Sequence, residues 1–193
     1  MQNDTSFARL VSLACHDVRT PLATVNGFVK TLERTAELEP PADRYVEMID
    51  QASAQMAELL EELSLAARIE SGRYDPVLRE TDTLELALDA QSRLGEDRVR
   101  VSGDGAGVTT DVESVTRGVS ALIRAALRHG GLDEVEVALR GTVIDVTPVT
   151  ESSSRVVLGQ DLRDLGAAVA VRVIERLGGS VAVEGVTLSV SLV

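Results

Sequence analysis

The chain has 193 residues, 44% of them hydrophobic, enough to bury a core and to build one or two domains. Its 19 Lys plus Arg against 31 Asp plus Glu leave a formal charge of −12, which argues against nucleic acid and anionic membrane as partners. With no Trp, two Tyr and two Phe there are also few rings on which bases could stack. One cysteine excludes an internal disulfide, and two histidines beside a lone thiol lack metal-ligand spacing, so neither a metal nor a cofactor is expected. No run of 18 apolar residues and no signal-like N-terminus occur, which reads as a cytoplasmic protein or a cytoplasmic fragment in a reducing compartment.

The first predicted element is a helix from about Asn3 or Thr5 to near Glu37. Phe7, Val11, Ala14, Val18, Pro21, Val25, Phe28 and Leu32 step by four and three, the seam of a helix packing on other helices. Pro40 and Pro41 end it, because proline lacks the backbone N–H and disfavours helix before itself. A second helix follows with the seam Tyr45, Ile49, Ala52, Met56, Leu59, Leu63 and Ala66, until Ser71 and Gly72 stop it. A lone antiparallel hairpin of this length would leave much apolar surface wet. Two hairpins in a dimeric four-helix bundle would cover it, with a second copy of the chain the expected partner rather than the C-terminal domain.

His16 lies off the first seam. At about 100° per residue it is about 200° round from both Ala14 and Val18, so its imidazole is expected in solvent. Neutral histidine is a nitrogen nucleophile, and the adjacent Asp17 can orient the ring or take its proton. Thr20 sits one turn on, where a hydroxyl could hold water or a phosphoryl oxygen, and Arg19 adds a fixed positive charge. A phosphoryl group suits this combination.

After Gly72 the pattern becomes mixed, with a boundary near Arg73 to Pro76. Leu78 to Thr81 reads as a strand, and Asp82 with Glu85 as a capping-box-like start of a helix to about Leu94. Val99 to Ser102 and Val108 to Thr110 read as a hairpin, followed by a helix from Asp111 to about His129. Gly103, Gly105 and Gly107 between those strands lack a following GK[ST], so a hairpin turn is expected there rather than a phosphate loop. Glu134 to Leu139 and Thr142 to Thr147 form a second hairpin. Asp161 begins a helix ending at Leu177, with Gly178 and Gly179 as its stop, and Ser180 to Glu184 with Val186 to Leu192 closes the chain. His129, at a helix end, is expected to serve that terminus and is assigned no catalytic role.

The stretch HDVRTPL, behind an apolar helical run, closely resembles the H-box of two-component sensor histidine kinases. That resemblance implies that His16 is the phosphoacceptor, Asp17 the acid/base residue beside it, Thr20 a water-positioning residue for phosphatase chemistry and Pro21 a helix kink. Cys15 stands where the family usually has Ser, a form that also resembles the dimeric histidine phosphotransferases. DVESVTRGVSALIRAALRHGG and DLGAAVAVRVIERLGGSVAVEG resemble the Asn-box helix and the last glycine box of the kinase ATP-binding domain. Ala121 and Ala125 stand where that family's asparagines ligate magnesium and phosphates. DVTPVTESSS, from Asp145 to Ser154, replaces the expected DxGxG, and the segment up to Asp161 is short for a nucleotide lid.

The expected fold class is α + α/β: residues 1–72 a helical hairpin for dimerisation and histidine phosphotransfer, residues 77–193 a reduced, Bergerat-like α/β sandwich. The resemblance implies a phosphotransfer protein that relays a phosphoryl group between His16 and aspartates of response-regulator receiver domains, without binding ATP. A pseudo-kinase that sequesters response regulators, or a diverged ATP-dependent autokinase, are the alternatives. The implied partners are a receiver domain and a second copy of the chain.

Overall fold

The structure is a computed structural model that describes residues 2–35 and 38–193, with side chains of the first helix described from Phe7. The chain divides into two compact units, Met1–Tyr74 and Asp75–Val193.

The first unit is a helical hairpin of α1 (Gln2–Thr35) and α2 (Ala42–Glu70). The expected end of α1 near Glu37 lies outside the described residues. Helix α1 continues through Pro21. Helix α2 ends where Ser71 returns its N–H to the Ala67 carbonyl at 3.1 Å and Gly72 takes φ +67°, a conformation that favours glycine.

The two helices meet along a seam different from the one the apolar pattern suggests. Buried from α1 are Ala8, Cys15, Leu22 and Val29, and from α2 Val46, Ser53 and Ala67. Those of α1 recur every seven residues and those of α2 at seven and fourteen, the spacing of a coiled-coil seam, and most are small. Lys30 crosses the pair, its Nζ 2.8 Å from Asp50 and 3.1 Å from Glu33. The bulky residues of the expected seams, including Phe7, Val18, Val25, Phe28 and Leu32 on α1 and Tyr45, Ile49, Met56, Leu59 and Leu63 on α2, remain 38–69% exposed. The physical reason is a shift of one residue: Phe7, Ala14, Pro21 and Phe28 each precede a seam residue and lie about 100° away round the helix.

The second unit stacks helices on one face of a five-stranded sheet of order β2-β4-β5-β7-β6. Its elements are β1 (Leu78–Asp82), α3 (Thr83–Leu94), β2 (Val99–Gly105), β3 (Gly107–Asp111), α4 (Val112–Gly130), β4 (Val135–Gly141), β5 (Val143–Thr147), α5 (Glu151–Val157), α6 (Leu165–Arg176), β6 (Ser180–Glu184) and β7 (Thr187–Ser191). Helix starts follow the sequence signals: Asp82, Asp111 and Asp164 each accept a hydrogen bond from a first-turn N–H, at 2.7, 3.1 and 3.0 Å. Glu85 does not complete a capping box; it accepts instead from the Thr81 hydroxyl at 2.9 Å. Val99, Val135, Val137, Ile144, Val146, Leu188 and Val190 of the sheet are buried with Leu86, Val115, Leu122, Ile123 and Ile174 of the helices.

The expected hairpin of the two strands β2 and β3 does not form. Strand β2 pairs in parallel with β4, while β3 pairs antiparallel with β1 in a separate two-stranded sheet. The glycines between them serve close approach. A Cβ at Gly103, whose φ is +90°, would strike the Leu139 carbonyl oxygen, and one at Gly105 would strike the Asp82 carboxylate. A second departure is α5, which occupies the expected loop. Thr150 and Ser153 form its capping box, and Ser153, Val156 and Val157 are fully buried. Helix α6 starts at Leu165 rather than Asp161 because Asp164 supplies its cap.

Candidate functional site

His16 stands on the open side of α1, its side chain 76% exposed, while Cys15 immediately before it is 2% exposed in the interhelical seam. The cysteine is therefore a small packing residue, and the helix presents the next residue to solvent. His16 Nδ1 lies 3.2 Å from Asp17 Oδ1. With the proton on Nδ1 donated to that carboxylate, Nε2 keeps its lone pair and faces outward.

His16, Arg19, Thr20, Ala23 and Thr24 line a shallow open depression on this helix face. Thr24 Oγ1 donates to the Thr20 carbonyl at 3.2 Å, and the Thr20 hydroxyl itself is unengaged among the described residues. All of the candidate residues His16, Asp17, Arg19 and Thr20 thus lie on one exposed surface: a nucleophilic nitrogen, a carboxylate on its far nitrogen, a free hydroxyl and a guanidinium. An open surface suits a macromolecular donor or acceptor better than a small substrate needing enclosure.

The sequence reading gave Ser12 and Arg73 no part in the site. Arg73, beyond the end of α2, donates through Nε to Ser71 Oγ at 3.1 Å and through Nη2 to Ser12 Oγ at 3.4 Å. Ser12 is one turn before His16, and no local pattern could link residues 61 positions apart.

In the second unit, Ala121 and Ala125 are buried on α4, which packs against both α5 and α6. Methyl groups there offer no oxygen to magnesium, so these positions do not fit the metal that the family resemblance implies. Among the described residues no group of three or more His, Cys, Asp or Glu side chains could hold a metal ion. Asp145 is committed elsewhere: buried on β5, it pairs with Arg140 Nε at 2.6 Å and accepts from Ser189 Oγ at 2.6 Å. The Arg140 hydrogen bond lowers its carboxyl below the ordinary value, burial opposes this, and the Ser189 bond adds to the lowering. His129 does not cap α4, a role taken by Gly131 in the left-handed conformation. Its Nε2 meets Asp164 at 3.1 Å and its carbonyl accepts from Ser152, tying together the ends of α4, α5 and α6.

Comparison with known proteins locates this geometry. Residues 8–72 match the His Kinase A (phospho-acceptor) domain. The probable sensor histidine kinase TcrY of Mycobacterium tuberculosis is 31% identical over 91 residues, 47% of this chain and 19% of that protein. An uncharacterised sensor-like histidine kinase of Rhizobium meliloti is 28% identical over 153 residues, 72% of this chain and 29% of that protein. The chain thus spans under a third of the length of these curated relatives. Among solved structures, full-length ShkA in complex with AMPPNP superposes with a TM-score of 0.68 at 16% identity, covering 94% of this chain and 44% of that one. The Acinetobacter baumannii histidine kinase AdeS does so with a TM-score of 0.54 at 17% identity, covering 92% and 98%. At such identities the structural likeness is one of fold. No helix among the described residues is long and apolar enough to cross a membrane. Residues 8–72 are a His Kinase A (phospho-acceptor) domain, and the unit that follows has the α/β sandwich fold of a histidine kinase catalytic domain.

Proposed function

We propose that the chain is the phosphotransfer core of a two-component system, acting in the cytoplasm as a homodimer, in which His16 exchanges a phosphoryl group with an aspartate of a response-regulator receiver domain. The observation that carries this reading is the exposed imidazole hydrogen-bonded through Nδ1 to Asp17, which leaves Nε2 free to attack. In the forward step the bond between phosphorus and the aspartyl oxygen breaks, the receiver carboxylate leaves with the electron pair, and Nε2 forms the new bond to phosphorus. Asp17 holds the Nδ1 proton as charge develops on the ring. The reverse transfer breaks the P–Nε2 bond and re-forms the aspartyl phosphate, and in a separate hydrolysis Thr20 holds a water whose oxygen forms the new bond to phosphorus as the receiver's aspartyl carboxylate leaves with the electron pair. The exposed apolar stripes of α1 and α2 support the homodimer.

The source of the phosphoryl group separates two readings. Transfer without bound ATP is supported by Ala121 and Ala125, by the buried Val156 and Val157 of α5, and by the Asp145 pair, which together leave a triphosphate few counter-charges. The names of the relatives favour an ATP-dependent autokinase, and ShkA binds AMPPNP. Two measurements discriminate. Incubation with phosphorylated receiver domains is expected to place acid-labile label on His16 and none on a His16→Gln chain; equal label on both would refute the phosphoacceptor role. Calorimetry with ATP and magnesium is expected to give no binding tighter than about 100 µM, near −5.5 kcal/mol. Tighter binding would establish the autokinase reading instead.

A further inference from the structure

The His16 face receives a residue from the segment that follows the second helix of the hairpin. Arg73 is exposed, and its guanidinium is held between two hydroxyls, Ser71 Oγ and Ser12 Oγ. Ser71 is itself fixed, its hydroxyl donating to the Ala67 carbonyl at 2.7 Å. Among the described residues no carboxylate neutralises Arg73, and most of its N–H fork stays unspent. Ser12 precedes His16 by four residues, about 40° round the helix and about 6 Å along it, so their side chains are neighbours. Arg73 therefore stands on the N-terminal side of the imidazole, while Arg19 and Thr20 flank its C-terminal side.

A phosphoryl group on Nε2 would carry about two negative charges next to the Asp17 carboxylate, in a chain of formal charge −12. Arg19 is a single counter-charge on the same helix. A guanidinium fork aimed by two hydroxyls, with donors to spare, suits a tetrahedral phosphoryl group better than a hydroxyl partner does. The geometry points to Arg73 as a phosphoryl-binding residue of the His16 site, held there from the segment after α2 by Ser12. This inference rests on the reading of His16 as the phosphoacceptor.

Potassium phosphoramidate tests it on the full chain without knowledge of the receiver. In the labelling step ammonia leaves with the electron pair of the donor P–N bond, Nε2 forms the new P–N bond, and Asp17 holds the Nδ1 proton. Arg73→Gln should slow labelling by about tenfold or more, the loss of a hydrogen bond to a charged group. Arg73→Lys should recover part of that rate, since charge remains without the fork, and Ser12→Ala should slow labelling by a smaller factor. A readout that a structural role would not move is the ionisation of the phosphohistidine followed by phosphorus NMR: its second proton should leave at higher pH in Arg73→Gln than in the native chain. Thermal unfolding of each variant checks that the hairpin is intact. Native rate and native ionisation in Arg73→Gln would overturn the role of Arg73 and leave His16 as phosphoacceptor. Equal label in native and His16→Gln chains, or no label on the native chain, would overturn both.

Discussion

Across α1 and α2 the side chains that meet are mostly small, Ala8, Cys15, Ser53 and Ala67 among them, and the bulky ones face outward. In the α/β unit the reverse holds: Leu86, Leu122, Ile123, Ile144, Ile174 and Leu188 are all below 2% exposed, and the polar residues cap helices or pair on the open sheet face. The sandwich therefore closes its own core, while the hairpin closes a narrow seam and leaves its larger apolar area unspent. In the proposed homodimer the stability of the hairpin would belong to the assembly, whereas that of the sandwich belongs to the chain.

The sharpest way to break this contrast is Leu122→Ala. It should cost the α/β unit about 2–5 kcal/mol, the range for deleting a buried leucine, and the loss should not depend on protein concentration. Denaturant unfolding at two concentrations checks it. Phe28→Asp should act oppositely: little change in the α/β transition, but loss of the dimer in sedimentation, since each Å² of apolar contact given up is worth about 25 cal/mol. A native chain that sediments as a folded monomer at micromolar concentration would end the contrast. Thr20→Ala, on the open face of α1, should slow dephosphorylation of a bound receiver more than it weakens binding; equal phosphatase rates would make Thr20 a plain surface residue. The smallest effect concerns Asp145. Because its folded carboxyl titrates below the ordinary value, its contribution is present above that value and is lost as pH falls through the lowered one. Asp145→Asn should therefore flatten the acid limb of the stability curve and leave the neutral-to-basic limb unchanged in shape.

The placement of the candidate residues on α1 was legible because it depends on angles along one helix. His16 off the apolar stripe, with Asp17, Arg19 and Thr20 beside it, follows from about 100° per residue and needs no tertiary information. The partner of the stripe was not legible. Two apolar stripes one residue apart are both periodic, and hydrophobicity alone favours the one with Phe and Leu, although Ala, Cys and Ser allow the closer approach that α2 takes. Strand positions in the second unit were largely readable from alternation, but strand partners were not. Val99 to Ser102 and Val108 to Thr110 look like a hairpin because local pattern carries no information about β1 or β4, which claim them. Helix α5 was hidden behind a comparison with a glycine loop, although Thr150 and Ser153 carry a capping signal in plain view. His129 and Arg73 find their partners only through the fold.

Ala14, Cys15 and His16 follow one another in the chain yet serve three neighbours: the outward stripe, the second helix and the solvent. The circumference of α1 is thus fully allotted at this point, and the helix has a phase that upstream sequence must respect. Inserting one residue before Ala14 while the upstream helix keeps its orientation would turn this trio by about 100°, carrying the imidazole to the place Asp17 holds now and the thiol out of its seat to the place of His16. A segment joined in steps of seven would preserve the allotment to within about 20°. Any joint to a preceding helix is therefore a matter of timing as much as of composition.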